Sequence, residues 1–123
     1  MKFGISFKPM LLEEVDTPFN SNLYLYELKY DGQRAIIHVS PNIIKIFSRN
    51  GIDITYLYPE LQNIKKIIKR KMILDGEIVL FYQGKPNFTK LQERSHTKNI
   101  HKINYYAQNM PVCFMGFDCL YDE

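Results

Sequence analysis

From Leu23 to Tyr30 the chain alternates as LYLYELKY, which predicts a strand with Tyr24, Tyr26, Leu28 and Tyr30 on one face and Leu25, Glu27 and Lys29 on the other. The aromatic face is expected to dock on a core. The Glu27/Lys29 face, continuing to Asp31, is left for water or a ligand. Asp31-Gly32 breaks the pattern, and QRAIIHVS, SPN, IIKIFSR and NG then read as strand, turn, strand, turn, an antiparallel meander over 33–51. From Tyr58, YPELQNIKKIIKRK sets Leu61, Ile64, Ile67 and Ile68 at helical spacing, with Lys65, Lys66, Lys69 and Arg70 around the other side. MILDGEIVLFY, from Met72, is rich in β-branched and aromatic residues and predicts a buried strand with one polar step, Asp75-Gly76-Glu77. NFTKLQERS predicts a short helix capped by Asn87, and VCFMGFDCLY a last strand. No repeat, low-complexity tract or linker divides the chain. The pattern describes an α+β unit of antiparallel β-sheet with flanking helices.

Composition narrows this picture. In 123 residues, 46% apolar and 24% charged positions are enough for a single real core and too apolar for disorder. A net charge of +3 permits a polyanionic partner without requiring one. The run KKIIKRK holds five of the sixteen basic residues and reads as a solvated helix face. Cys113 and Cys119 lie in an apolar segment without zinc spacing, which fits buried free thiols in a reducing compartment. The opening MKFGISFKPMLLEEV lacks an apolar core of signal-peptide length, and no run approaches a membrane span, so the chain reads as cytoplasmic with no membrane partner.

Charged residues embedded in these strands and turns need an explanation: Glu27, Lys29, Asp31 and Arg34; Arg49; Asp75 with Glu77. Buried charge is costly, so such residues are exposed, paired or bound to something. Taken singly, ion pairs and exposed strand faces account for them. Lys29 invites a chemical reading as well. A lysine amine is a nucleophile only when deprotonated, which a neighbouring cation favours and the carboxylates of Glu27 and Asp31 oppose. A divalent metal and a polyphosphate on the same face would remove the conflict, because the metal offsets the carboxylates. Lys29 would then attack phosphorus, Arg34 would meet a phosphate or ribose, and Gly32 would let the backbone approach the ligand.

ELKYDGQR, with its Lys-x-Asp-Gly, resembles the nucleotidyltransferase signature of ATP-dependent DNA ligases. Alone it is short. It is followed in order by FSRNG, which is similar to the family's Arg-Asn-Gly element, by ILDGEIVLF, similar to its Asp-Gly-Glu strand, and by VCFMGFDCLY, similar to its Phe-Asp strand. The resemblance spans nearly the whole chain and implies a partial ligase-type nucleotidyltransferase (adenylation) domain over residues 1–123.

The resemblance implies that Lys29 is the residue covalently adenylated by ATP. Glu27 would help recognise adenine, Arg34 would contact the sugar, and Asp31 would orient the lysine. Arg49 would bind the 5′-phosphate of a nick in duplex DNA, and Glu77 would touch the ribose or a metal, Mg²⁺. Phe117 would stack on adenine with Asp118 as its support; aromatic stacking on a base is physically reasonable, although a core Phe is commoner. The chemistry implied is adenylation of Lys29 with loss of pyrophosphate, transfer of AMP to a 5′-phosphate, and attack by a 3′-hydroxyl, serving repair or replication. Each step builds charge on phosphate oxygens, so metal and Arg/Lys donors matter more than acid-base groups.

The sequence also departs from the family. Its downstream Glu-Gly and Lys-x-Lys elements and OB-fold domain are not found before the final YDE, so an adenylation-domain fragment is expected, with an exposed edge or apolar patch and a tendency to self-associate. Other readings share parts of the pattern. RNA ligases and capping guanylyltransferases also carry Lys-x-Asp-Gly, while SRNG and LDGEIV lean toward DNA. A catalytically silent nucleic-acid-binding fragment would gain no mass with ATP.

Overall fold

The computed structural model describes all residues, Met1–Glu123. Six strands and two α-helices follow in order: β1 (Gln33–Val39), β2 (Ile44–Ser48), β3 (Met72–Val79), β4 (Phe81–Tyr82), β5 (Lys85–Pro86), α1 (Phe88–Ser95), α2 (Ile100–Asn109) and β6 (Cys113–Asp122). Two 3₁₀ helices, Thr55–Leu57 and Pro59–Lys66, lie between β2 and β3. β1, β2, β3 and β6 form one antiparallel sheet in the order β2-β1-β3-β6, and β4 and β5 form a small hairpin. No helix is long and apolar enough to cross a membrane.

The two faces of the sheet have different tasks. Ala35, Ile37 and Val39 of β1, Ile44 and Ile46 of β2, and Ile78 of β3 join Leu57, Tyr58, Leu61, Leu91 and Ile103 in one helix-covered core. By the period of two, Arg34, Ile36 and His38 must then face the other way. There they lie opposite Glu77, Asp75 and Ile73 of β3. Burying the first face supplies the hydrophobic driving force. The second carries the charges.

Asn87 and Asn99 start the two α-helices. The Asn87 side chain accepts from the Lys90 amide at 2.9 Å, as expected of the cap; Asn99 accepts from the His101 and Lys102 amides at 2.9 and 3.2 Å. The expected single helix over 58–71 is instead a 3₁₀ helix that ends at Lys66. A period of three puts Tyr58, Leu61 and Ile64 on one stripe against the core, whereas Ile67 is left exposed. Of the basic run, Arg70 pairs with Asp122 and Lys71 with Glu123.

The strand expected over 23–30 does not form. Leu23 and Tyr24 lie in a turn and a bend, 25–30 have no regular secondary structure, and no backbone ladder joins the segment to the sheet. A strand is held by ladder hydrogen bonds to a neighbour, and although β2 and β6 each have a free outer edge, the segment pairs with neither. Its aromatic face therefore docks on no core: Tyr24, Tyr26 and Leu28 are exposed, and Phe19 makes ring contacts with Tyr24 and Tyr26. The cysteines are exposed free thiols rather than buried ones, because they lie on β6, which pairs only along its β3 edge.

Candidate active site

Beside the charged face of the sheet lie two adjoining concavities, of about 910 and about 600 Å³. Lys29, Arg34 and Glu77 line both. Glu27, Phe117 and Asp118 line the smaller one; Asp31, Gly32 and Arg49 line the larger. Every residue expected to carry chemistry therefore borders this double cavity. The two acids that flank Lys29 in sequence fall on different sides of it, one in each concavity.

Lys29 is exposed and belongs to none of the four ion pairs of the structure. Neither Asp31 nor Glu27 holds it by a hydrogen bond, so orientation of Lys29 by Asp31 is not a contact of this structure. Arg34 is held firmly. Its Nε and one Nη donate to the two Asp75 carboxylate oxygens, each at 2.7 Å, and the same Nη donates to the Met10 carbonyl at 2.7 Å. This bidentate geometry is the strong form of an Arg–carboxylate pair. The bond to Asp75 raises the Arg34 pKa, against the opposing effect of burial. Arg34 is thus mostly committed to the protein, and Asp75 is the positioning residue that the motif comparison did not assign.

Glu77 lies directly across from Arg34 in the β1–β3 register. Burial pushes its carboxyl pKa up, while Arg34 and then Lys29 pull it down. The sign of the linkage follows. A raised folded-state pKa means that ionisation works against folding, so the stability this group contributes is full below the ordinary value of 4.5 and lost as pH rises through the folded value. Glu77→Gln is expected to give a modestly higher Tm than wild type at pH 7.5. The difference should vanish below pH 4.5, as thermal unfolding followed by circular dichroism at both pH values will show.

Phe117 reaches the cavity through an irregularity of β6. Gly76 of β3 pairs with Gly116 and Asp75 with Asp118, so Phe117 is the extra residue of a bulge. In a regular strand, neighbours point to opposite faces; the bulge lets Phe117 and Asp118 line the same concavity. The Arg34 guanidinium lies 4.9 Å from the Phe117 ring centre, a cation–π contact. Asp118 makes no side-chain hydrogen bond that would brace Phe117; the bulge and Arg34 hold the ring.

Arg49 sits at the tip of a turn closed by the Gly51 amide donating to the Ser48 carbonyl at 2.9 Å, with Gly51 at φ +80°. That left-handed conformation explains the Asn-Gly pair. Gly32, on the wall of the larger concavity, also meets a packing demand. A Cβ there would come within 2.2 Å of the Ile78 carbonyl, so the residue lets the chain entering β1 press against β3.

The family model for the ATP dependent DNA ligase domain matches residues 9–123. This chain belongs to that family. Among curated relatives, the DNA ligase of Pyrobaculum islandicum is 33% identical over 96% of the chain, and the SPbeta prophage-derived DNA ligase-like protein LigB of Bacillus subtilis is 34% identical over 94%. The ligase-family chain covers 21% of the first protein and 39% of the second. Among solved structures, the ligase domain of M. tuberculosis LigD superposes with a TM-score of 0.61 at 28% identity, over 77% of this chain and 28% of that one. A mycobacterial DNA ligase D complexed with ATP and MES gives 0.57 at 27% identity, with the same coverages. The α+β ligase-type fold, an antiparallel sheet flanked by helices, is the expected one.

Proposed function

We propose that this chain is part of the adenylation domain of an ATP-dependent DNA ligase that forms a covalent lysine-AMP at Lys29 and joins nicked duplex DNA. The observation that carries the reading is the shared wall. Lys29, Arg34 and Glu77 border both concavities, so a group bound in one lies beside the lysine together with a group bound in the other. Phe117 and Glu27 give the smaller concavity an aromatic face and a polar neighbour suited to adenine. Arg49 gives the larger one a cation for the 5′-phosphate of a nick.

ATP is the substrate of the first step. The neutral Lys29 amine attacks its α-phosphorus, the bond to pyrophosphate breaks, and a phosphoramidate to AMP remains. The 5′-phosphate at Arg49 then displaces Lys29 from that AMP, and a 3′-hydroxyl finally displaces AMP to seal the strand. Arg34, held by Asp75, presents a fixed positive charge to developing charge on phosphate oxygens. Mg²⁺ commonly takes one or two carboxylates and completes its shell with water and substrate phosphates. Glu77, half-buried and free of any ion pair, is the carboxylate that would hold it. When bound, Mg²⁺ supplies charge neutralisation at the phosphates. Cytoplasmic operation in repair or replication, and self-association along the unpaired edge of β6, belong to the same reading.

The test is intact-mass measurement after incubation with ATP and Mg²⁺, with Lys29→Ala alongside. Wild type is expected to gain one AMP and the variant none. Loss of the AMP on adding nicked DNA, but not nicked RNA, separates a DNA ligase from an RNA ligase or capping enzyme. No gain by wild type would favour a silent nucleic-acid-binding role.

A further inference from the structure

The segment before β1 contains a clasp that the ligase chemistry does not use. His38 points from β1 to the charged face of the sheet and is fully buried. Its Nδ1 accepts the Gly4 amide at 2.8 Å, which requires the proton of the neutral ring to sit on Nε2. That Nε2 is buried without a partner. Phe3, Phe7 and Phe47 surround the ring at 5.2–5.8 Å between centres. Six residues further on, the same segment is tied again: Pro9 is buried, and the Met10 carbonyl accepts from Arg34 at 2.7 Å. Leu11 and Leu12, next in the chain, line both concavities beside Lys29. The first twelve residues are therefore a strap. One end is clipped to His38 and the other walls the site.

We propose that His38 is an acid-sensitive clasp for this strap, holding residues 1–8 on the sheet when neutral and releasing them when protonated. Protonation puts a hydrogen on Nδ1, so the only hydrogen bond of the ring turns into a donor facing a donor. Nothing nearby compensates. From β2 the facing charge is Lys45, whose Nζ donates to the Gly4 carbonyl at 3.5 Å; Lys71 lies over the Phe3 ring; β3 offers the apolar Ile73 in register; and residues 1–8 of the strap contain no carboxylate. An imidazolium would be buried among two lysines and three rings. Burial first, and Lys45 second, lower the His38 pKa below its ordinary 6.5. The clasp is thus fully present above 6.5 and is lost as pH falls through the lowered value. Between 6.5 and the lowered value each pH unit weakens it about tenfold, and below the lowered value it weakens no further. Residues 9–12 of the strap, anchored by buried Pro9 and by the Met10 carbonyl on Arg34, keep Leu11 and Leu12 on the wall of the site.

The proposal needs only the strap geometry, so its test does not depend on ligase activity. Nuclear magnetic resonance of the full chain, titrated from pH 7.5 to 5, reads the Gly4 amide shift and exchange and the His38 ring nitrogens. Wild type is expected to show the neutral Nε2–H form and a protected Gly4 amide at pH 7.5, and loss of both together as pH falls through a value below the ordinary 6.5. His38→Asn keeps a neutral acceptor near the Nδ1 position, so its Gly4 amide should keep the same protection at both pH values. A Gly4 amide that stays protected in wild type while His38 titrates would overturn the proposal, as would an identical pH response in the Asn variant. Should the Asn variant fail to fold, the wild-type titration stands without it.

Discussion

Arg94→Leu should lower the free energy of unfolding by about 3–5 kcal/mol, the loss typical when one partner of a buried ion pair is removed. Arg94 is 1% exposed, yet it is not apolar packing that holds it there. Its two Nη atoms bind both oxygens of Glu60, and they also donate to the Leu57 and Met110 carbonyls, each at 2.9 Å. Glu60 in turn accepts the Val112 amide at 2.9 Å. One side chain therefore ties together both 3₁₀ helices, α1, the end of α2 and the entry to β6. Truncating it orphans two carbonyls and strands the Glu60 carboxylate at low exposure. Against a typical total stability of about 5–15 kcal/mol, the loss is large. Urea unfolding of wild type, Arg94→Leu and the double variant Glu60→Met/Arg94→Leu checks the cause. If the stranded carboxylate dominates, the double variant recovers part of the loss; a double variant as unstable as the sum of its parts would show that the pair's charges are not the reason.

Gly76→Ala should cost about 2–3 kcal/mol, near the top of the usual range for overpacking. A Cβ at Gly76 would lie 2.4 Å from the Met115 carbonyl, 2.6 Å from the Phe114 ring and 2.9 Å from the Gly116 Cα. Two of these are backbone atoms and cannot swing aside. The strain falls where β6 changes register, so the bulge that brings Phe117 and Asp118 to one concavity should shift with it. Gly116→Ala is the matched control. Its Cβ would meet only the Phe114 ring, at 3.3 Å, and a small effect is expected. Thermal unfolding gives the stability of each. The Arg34–Phe117 contact, read from the Phe117 ring resonances, tests whether Gly76→Ala also moves the site.

The elements differ in how legible they are in the sequence, and the differences have physical causes. β1, β2, β3, α1 and β6 are set by short-range signals: alternation, Asn-Gly and Asn caps, and runs of β-branched residues. α2 carries a cap of the same kind at Asn99 and apolar Ile100 and Ile103 at helical spacing, a signal available but not used. The 3₁₀ helix differs from the expected helix because the core, not the local spacing, selects a stripe of Tyr58, Leu61 and Ile64. The segment 23–30 has a clear strand pattern but pairs with no neighbour. Alternation reports how side chains would be shared between faces; only a partner makes the ladder.

By itself the sequence determined which residues border the candidate site. The ordered Lys-x-Asp-Gly, Arg-Asn-Gly, Asp-Gly-Glu and Phe-Asp elements name side chains whose types suit phosphate, metal and base, and all of them border one double cavity. The tertiary structure alone decided how they are held. Arg34 is locked by Asp75, Phe117 is turned by a bulge, Gly32 makes room for β3, Arg94 and Glu60 join five elements, and His38 clips a strap from the chain's start. These are contacts between residues 16 to 52 positions apart in the sequence. Spacing along the chain encodes local conformation and side-chain type, whereas distance and register between strands arise only when the sheet is assembled.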